Sequence, residues 1–539
     1  TQPAADPRDE LRRAMSDLRS ALTPKSSEAT LPAAVVVVGK EGTRVIDDAS
    51  LWQRASNGGI ISGPSARSGP PVMRFTGEQQ VTSAILGVTQ STRKRVVFVR
   101  GGGRGLAGDR DAPFGELAAR LRAFNFEVLE RDISRDPSAP PMPDEMGRPQ
   151  PPPDPNEATD AQLKDAVWVV LPVGGNPMAR TMTPPLADRL RDHLAAGGAA
   201  LVLAQPQQGG EDLSPALKEF GVEVPAGTIV VRSKLDVPAA ADEPSRLEQI
   251  RRLPFLLTLN EYGDHPITRP LQSLEGLFPI LSPVRRVRVA GSDLALKDER
   301  KPTVVKAKSR KFAADDVGRF LWVRDPAGTN WQPGRYKVLA VDAEGAATLD
   351  ASVAAGEAVT PAGETAWELE RDVDLPAGVT VTPILPVPTT PSAWGERDTE
   401  TVFFGRTGEY PNPTFDPKTD VPGPLSGGAV AERAGGGRVV VLGTIQFAIS
   451  ELVREQDPRL KGKASAALFP ANGELVTNSV LWLAREDAKI GLSPAAADTP
   501  RIAAIAPGQL SFLRVGIVMV LLPLSAVAAG LLVWTTRRG

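Results

Sequence analysis

Between residues 96 and 221, short apolar runs alternate with stretches of helical periodicity, and Gly or Pro marks most exchanges. Val96-Val97-Phe98-Val99 reads as a strand, closed by Gly101-Gly102-Gly103. Residues 114–123 follow with Leu117, Leu121 and Phe124 on one helical face. Strands over 126–129, 167–171 and 199–203 alternate with helices over 186–194, before Gly197-Gly198, and over 213–220, before Gly221. Apolar strands separated by helices predict a parallel sheet covered on both faces. The pattern resumes with Arg438-Val439-Val440-Val441-Leu442-Gly443 and a helix over 475–484. Between these stretches, residues 297–375 lose helical periodicity. RFLWVRD, GRYKVLAVD and GAATLD read there as short strands of an inserted β-rich module.

Earlier segments are less regular. Asp6-Pro7-Arg8-Asp9 reads as a helix start, with Leu11, Met15, Leu18 and Leu22 on one stripe before Pro24. Val35-Val36-Val37-Val38 reads as a buried strand. Residues 77–87 read as a short helix with Val81, Ala84, Ile85 and Val88 inward. Residues 137–155 are a proline-rich loop. The first residue is Thr1, which suggests a fragment or a processed product.

Composition removes much of enzymology. The chain has 0 Cys, which excludes disulfides, thiolate metal sites and a cysteine nucleophile. It has 2 His, so imidazole-based schemes are hard to assemble. A net charge of −2 and 5% aromatics give neither the basic footprint nor the stacking platforms of a nucleic-acid binder. Gly103-Arg-Gly105-Leu-Ala-Gly108 after a strand, with Glu130 farther on, fits the spacing of a dinucleotide fingerprint. However, Asp109-Arg110-Asp111-Ala112-Pro113 then delays the helix and puts acids where phosphates would lie, so no cofactor is expected. No P-loop and no G-x-S-x-G elbow occur. His193 on its helix and His265 before Pro266 read as structural. The basic residues Lys297, Arg300, Lys301, Lys306, Lys308, Arg310 and Lys311 read as a guarded sheet edge, or as a docking patch for acidic lipid or protein.

Near the C-terminus, residues 515–534 run 20 positions without a charge. At about 1.5 Å per residue this reaches about 30 Å, a bilayer's hydrocarbon thickness. Arg514 stands before the run, Trp534 ends it, and Arg537-Arg538 follow. The expectation is one C-terminal transmembrane helix in the inner membrane, with a cytoplasmic C-terminus and an extracytoplasmic body.

A series of motifs adds a family resemblance. Phe75-Thr-Gly77-Glu78-Gln79, Thr82-Ser83-Ala84-Ile85, Asp264-His265-Pro266-Ile267-Thr268 and Phe278-Pro279 come first. Ser392-Ala-Trp394-Gly-Glu396, Asp420-Val-Pro-Gly423-Pro424 and Val440-Val441-Leu442-Gly443 come next, then Asn478-Ser-Val-Leu-Trp482-Leu483-Ala484 and the terminal run. In this order they resemble the GldG-like family, auxiliary proteins of gliding-motility-type ABC transport systems. The resemblance covers most of the chain outside 297–375. It implies a glutamine-amidotransferase-like α/β domain without the catalytic cysteine, and a separate ABC permease and ATPase as partners. It carries no catalytic residues; the candidate structural or interface residues are Gly77, Glu78, Gln79, His265, Pro266, Trp394, Glu396, Asn478 and Trp482.

The combined expectation has α/β class, with a glutamine-amidotransferase-like (flavodoxin-like) parallel sheet, an inserted β module and one C-terminal transmembrane helix. The divisions are an N-terminal α/β domain over 1–90 and the amidotransferase-like domain over 91–296 and 376–485. The insert spans 297–375, a linker 486–511 and the membrane helix 512–536. The expected function is a non-catalytic, membrane-anchored accessory subunit of an ABC-type transport system. It would bind permease, ATPase and membrane lipid, but no metal and no nucleic acid. An independent anchored binding or sensor protein is the alternative, and a carboxylate-based hydrolase the second.

Overall fold

A computed structural model of the chain describes chiefly residues 93–101, 105–108, 112–133, 157–172, 186–204, 212–233, 253–272, 274–324, 330–356, 363–389, 392–399, 413–454 and 468–491. Short pieces before residue 93 and isolated positions elsewhere are also described. Internal contacts divide the chain into residues 1–497 and 498–539. Everything that follows concerns the first unit unless stated.

Its central element is a seven-stranded mixed sheet. In chain order the first four strands are β1 (Arg95–Arg100), β2 (Glu127–Asp132), β3 (Val167–Leu171) and β4 (Ala199–Leu203). Six barrel strands follow: β5 (Arg288–Leu296), β6 (Val304–Ala307), β7 (Phe320–Val323), β8 (Gly334–Val341), β9 (Ala347–Leu349) and β10 (Thr365–Asp372). The chain then returns to the large sheet with β11 (Val379–Pro383), β12 (Gly428–Arg433) and β13 (Arg438–Leu442). The large sheet runs β11-β12-β13-β4-β3-β1-β2. The pairs β13/β4, β4/β3, β3/β1 and β1/β2 are parallel, whereas β11/β12 and β12/β13 are antiparallel.

The alternation within β1 shows how the sheet is buried. Val96 and Phe98 pack with Leu117 and Leu121 of α1 (Gly115–Ala123) and with Leu475 and Leu481 of the later helix Pro470–Leu483. Val97 and Val99 face the other way, into a second core with Leu186, Leu190 and Leu194 of α2 (Leu186–Ala195). Successive side chains on a strand point to opposite faces, so a continuous valine run feeds two cores at once. A Cβ at Gly443, just after β13, would collide with the Ser282 carbonyl, which explains a glycine there.

The closed barrel has the order β5-β6-β9-β8-β7-β10 and is antiparallel throughout. Leu294, Val305, Leu321, Val323, Tyr336, Val338, Trp367 and Leu369 fill it. The chain enters and leaves at adjacent points, since the Val373 amide donates to the Val287 carbonyl at 2.8 Å.

Two expectations are corrected. The first is the flavodoxin-like, amidotransferase-like fold. The described chain is sheet-rich, with few helices, a mixed sheet and a closed six-stranded barrel. Apolar periodicity locates strands but does not give their direction, so it left the antiparallel pairs of β11, β12 and β13 and the barrel closure unread. The second is the membrane anchor, and with it the inner-membrane location. Among the described residues no helix is long and apolar enough to cross a membrane. The longest of these, α3 (Pro470–Leu483), has 14 residues and buries Asn472, Glu474 and Asn478. It is too short for a hydrocarbon core that takes about 20 residues. Residues 515–534 lie outside the described residues, Leu524 excepted.

Other expected elements are placed as follows. Ala34–Gly39 is a strand paired with Gly42–Asp47. Ala84 and Val88 are buried, but Ile85 is exposed. The helix expected from Asp6 to Leu22 and the loop 137–155 fall outside the described residues.

Candidate functional site

The motif residues gather at two places. At the first, α3 packs against the turn that carries His265. Asn478, on α3, is buried and donates from Nδ2 to the Ile267 carbonyl at 3.2 Å. Trp482, one turn on, meets the His265 ring edge-on at 5.1 Å between centroids. The Ile267 amide donates to His265 Nδ1 at 3.3 Å. Burial, then the Arg269 charge, holds the His265 imidazole below its usual range. Asp264 points away into an ion pair with Arg269 at 2.7 Å, so no acid orients the imidazole from its own turn. Pro266 is exposed in that turn. Arg438, from β13, lies over the Trp482 ring at 4.4 Å and donates to the Trp482 carbonyl at 2.9 Å.

At the second place, the strand Ala393–Glu396 meets the segment that begins at Asp420. The two are joined by reciprocal hydrogen bonds between Gly395 and Val421, at 2.8 and 2.9 Å. Glu396 is buried; its Oε2 accepts from Trp394 Nε1 at 3.2 Å and its Oε1 from the Asp398 amide at 2.9 Å. Asp420 is buried beside it. Its Oδ2 accepts from the Asp416 amide at 2.7 Å, while Oδ1 has no donor. Burial, then the neighbouring Glu396 charge, pushes the Asp420 carboxyl up to about 6. Below about pH 6 a proton shared between the two carboxyls relieves the double charge of adjacent buried acids. Asp420 belongs to a motif of the resemblance without being one of its candidate residues. Its signal was the second motif itself, which in sequence lies far from Glu396.

Gly77, Glu78 and Gln79 lie outside the described residues. The other histidine, His193, is buried on α2 and stacked on Trp168 at 4.1 Å. Its Nε2 lies 3.2 Å from the Ala199 carbonyl, and burial pushes its pKa down to about 4. Imidazole at this site is neutral at physiological pH.

The glycine-rich loop has a resident anion. Leu106 and Ala107 amides donate to the two Glu130 oxygens at 2.8 and 3.1 Å, and Arg100 Nε donates to the same carboxylate at 2.7 Å. Loop amides that could hold a phosphate are thus directed at a side chain of β2. Within the basic stretch, Lys297 pairs with Asp342 at 2.6 Å and also with Glu344, Lys308 pairs with Glu364, and Arg310 pairs with Asp316 at 3.0 Å. Among the described residues, no group of three or more His, Asp or Glu could hold a metal ion.

No family model matches this chain, and no curated protein matches it. Among solved structures, the mmIFT52 N-terminal domain is similar at 11% identity, over 72% of this chain and 97% of that chain. The TM-score is 0.30, which carries no argument about fold or function.

Proposed function

We propose that this chain is a non-catalytic accessory subunit that acts by binding a partner protein. The observation that supports this reading is how the motif side chains are used. His265, Glu396, Asn478 and Trp482 are engaged with the chain's own backbone, rings or amides. Glu130 is engaged in the same way. Groups so occupied hold loops in place rather than stand ready for a substrate. An ABC-type ATPase and permease are the partners that the GldG-like motif order suggests.

The hydrolase reading fares worse. Glycoside chemistry sets two acids about 5–9.5 Å apart across the sugar. Glu396 and Asp420 instead abut in the interior, with Asp420 raised partly by its neighbour.

The test is affinity capture of the full chain in mild detergent, scored by mass spectrometry for an ABC ATPase and permease. Their recovery supports the reading. Recovery of unrelated proteins alone removes the transporter and leaves an independent binding protein. Turnover of a substrate by the purified chain overturns the proposal.

A further inference from the structure

The barrel meets the rest of the unit through an unbalanced cluster of charge. Leu321, Val323, Trp367 and Leu369 point into the barrel, so the intervening Trp322 and Glu368 face outward. These two are directly opposite each other in the β7/β10 register. Glu368 is 5% exposed and accepts Arg285 at 2.8 Å and Arg288 at 3.1 Å, with Arg324 at 3.8 Å. Arg285 also reaches Glu223 at 2.8 Å. Arg397, directly after the strand Ala393–Glu396, lies over the Trp322 ring at 4.2 Å; among the described residues no carboxylate forms an ion pair with it, and Glu368 acts on it only through its charge. Among the described residues, Arg285, Arg288, Arg324 and Arg397 thus lie in the field of only two carboxylates, Glu223 and Glu368, an excess of two positive charges. Lys218 acts on Glu223 as well, and Arg286 is balanced separately by Asp372 at 3.4 Å.

We propose that Arg288, Arg324 and Arg397 form a binding site for a doubly charged oxyanion, a phosphoryl or paired-carboxylate group, at the junction of barrel and body. Guanidinium groups are the usual hosts for such ligands because their planar forks match two oxygens at once. Leaving charges desolvated without partners is costly, and Arg397 carries that cost here. Its pKa is pushed down to about 10, first by burial and then by Arg324, Arg285 and Arg288, against the pull of Glu368. An incoming dianion matches the excess of two. It also has a way in, since the Arg324 side chain is 56% exposed. Trp322 supplies a flat wall, and its indole N–H is fixed on Glu370 at 2.9 Å. This site rests on the binding reading above and gives that reading a ligand chemistry.

The experiment is thermal unfolding of the full chain in rising inorganic phosphate, against sodium chloride of equal ionic strength. Succinate forms a parallel arm. The melting temperature is expected to climb with the logarithm of phosphate above its dissociation constant. Arg324→Gln and Arg397→Gln should each weaken the response roughly tenfold, the scale of one lost charge-assisted bond. Arg324→Gln is the safer variant for folding, because it removes an exposed side chain with one long contact. A phosphate response alone assigns phosphoryl ligands and a succinate response alone assigns carboxylates, and either supports the site. Equal melting in phosphate, succinate and chloride overturns it, as does a response that survives both substitutions, which marks an adventitious ion only. Phosphate binding without captured partners supports the site and removes only the accessory-subunit reading.

Discussion

The large sheet and the barrel are both β structures built around apolar cores, yet they distribute charge in opposite ways. In the sheet, β1, β3, β4 and β13 bury both faces, so charged residues sit mainly at strand ends, as Arg95–Glu127 and Arg438–Glu432 do. In the barrel one face of each strand is outside. There the charges are interlaced: Arg335 grips Glu370 with two bonds, and Asp316 holds both Arg310 and Arg371. The difference teaches that strand burial, not strand content, decides where ionic groups can collect. A two-face strand has no room for them, whereas a one-face strand can bring them to its junction with a neighbour.

Substitutions can test this contrast. The largest effect is expected from Phe98→Ala, which empties a fully buried position between α1 and the sheet. It should cost about 3–5 kcal/mol, read as a lowered denaturant midpoint. No loss would mean that the sheet core is not the main source of stability. Next comes Glu368→Gln, which leaves Arg285 and Arg288 without their shared carboxylate and should cost about 3 kcal/mol. If that variant melts like the wild type, the barrel junction is held by apolar contact alone.

A smaller effect, set by pH, separates two buried groups. His193 has a folded pKa of about 4, below its unfolded value of 6.5. Its neutral form stabilises the fold above pH 6.5, and that contribution is lost as pH falls toward 4. Asp420 has the opposite sign. Its folded pKa of about 6 exceeds the unfolded 3.8, so the fold binds the extra proton and gains stability as pH falls through 6. Each is worth on the order of 3 kcal/mol, and in the wild type they partly cancel. Asp420→Asn removes one side, so its melting temperature should fall more steeply between pH 6.5 and 4.5 than the wild-type value does. Parallel pH profiles would sink the assignment. Smallest is Thr159→Ala. It removes the capping box that Thr159 makes with Gln162 at the short helix Asp160–Lys164, costing about 1 kcal/mol by equilibrium unfolding.

Much of the element list was legible, for a simple reason. Val96 to Val99, Val167 to Leu171 and Val439 to Leu442 are apolar without interruption, and only strands buried on two faces need that. Direction and closure were not legible, because antiparallel and parallel strands can carry the same apolar run. The site was legible as motifs but not as neighbours. His265 and Trp482 meet only because α3 crosses the turn, and Glu396 meets Asp420 only through the Gly395–Val421 bonds. Glu130 was noticed for its spacing and proves to be the loop's own anion. Arg397 gave no signal, since a lone arginine after a glutamate has no period and no spacing to mark it.

The bond between Val287 and Val373 has a further consequence. A polypeptide that departs and comes back through one doorway can have its excursion lengthened, exchanged or lost in descent without re-threading the strands on either side. Ancestry would then treat the barrel as a cassette. Relatives of the body need not possess it.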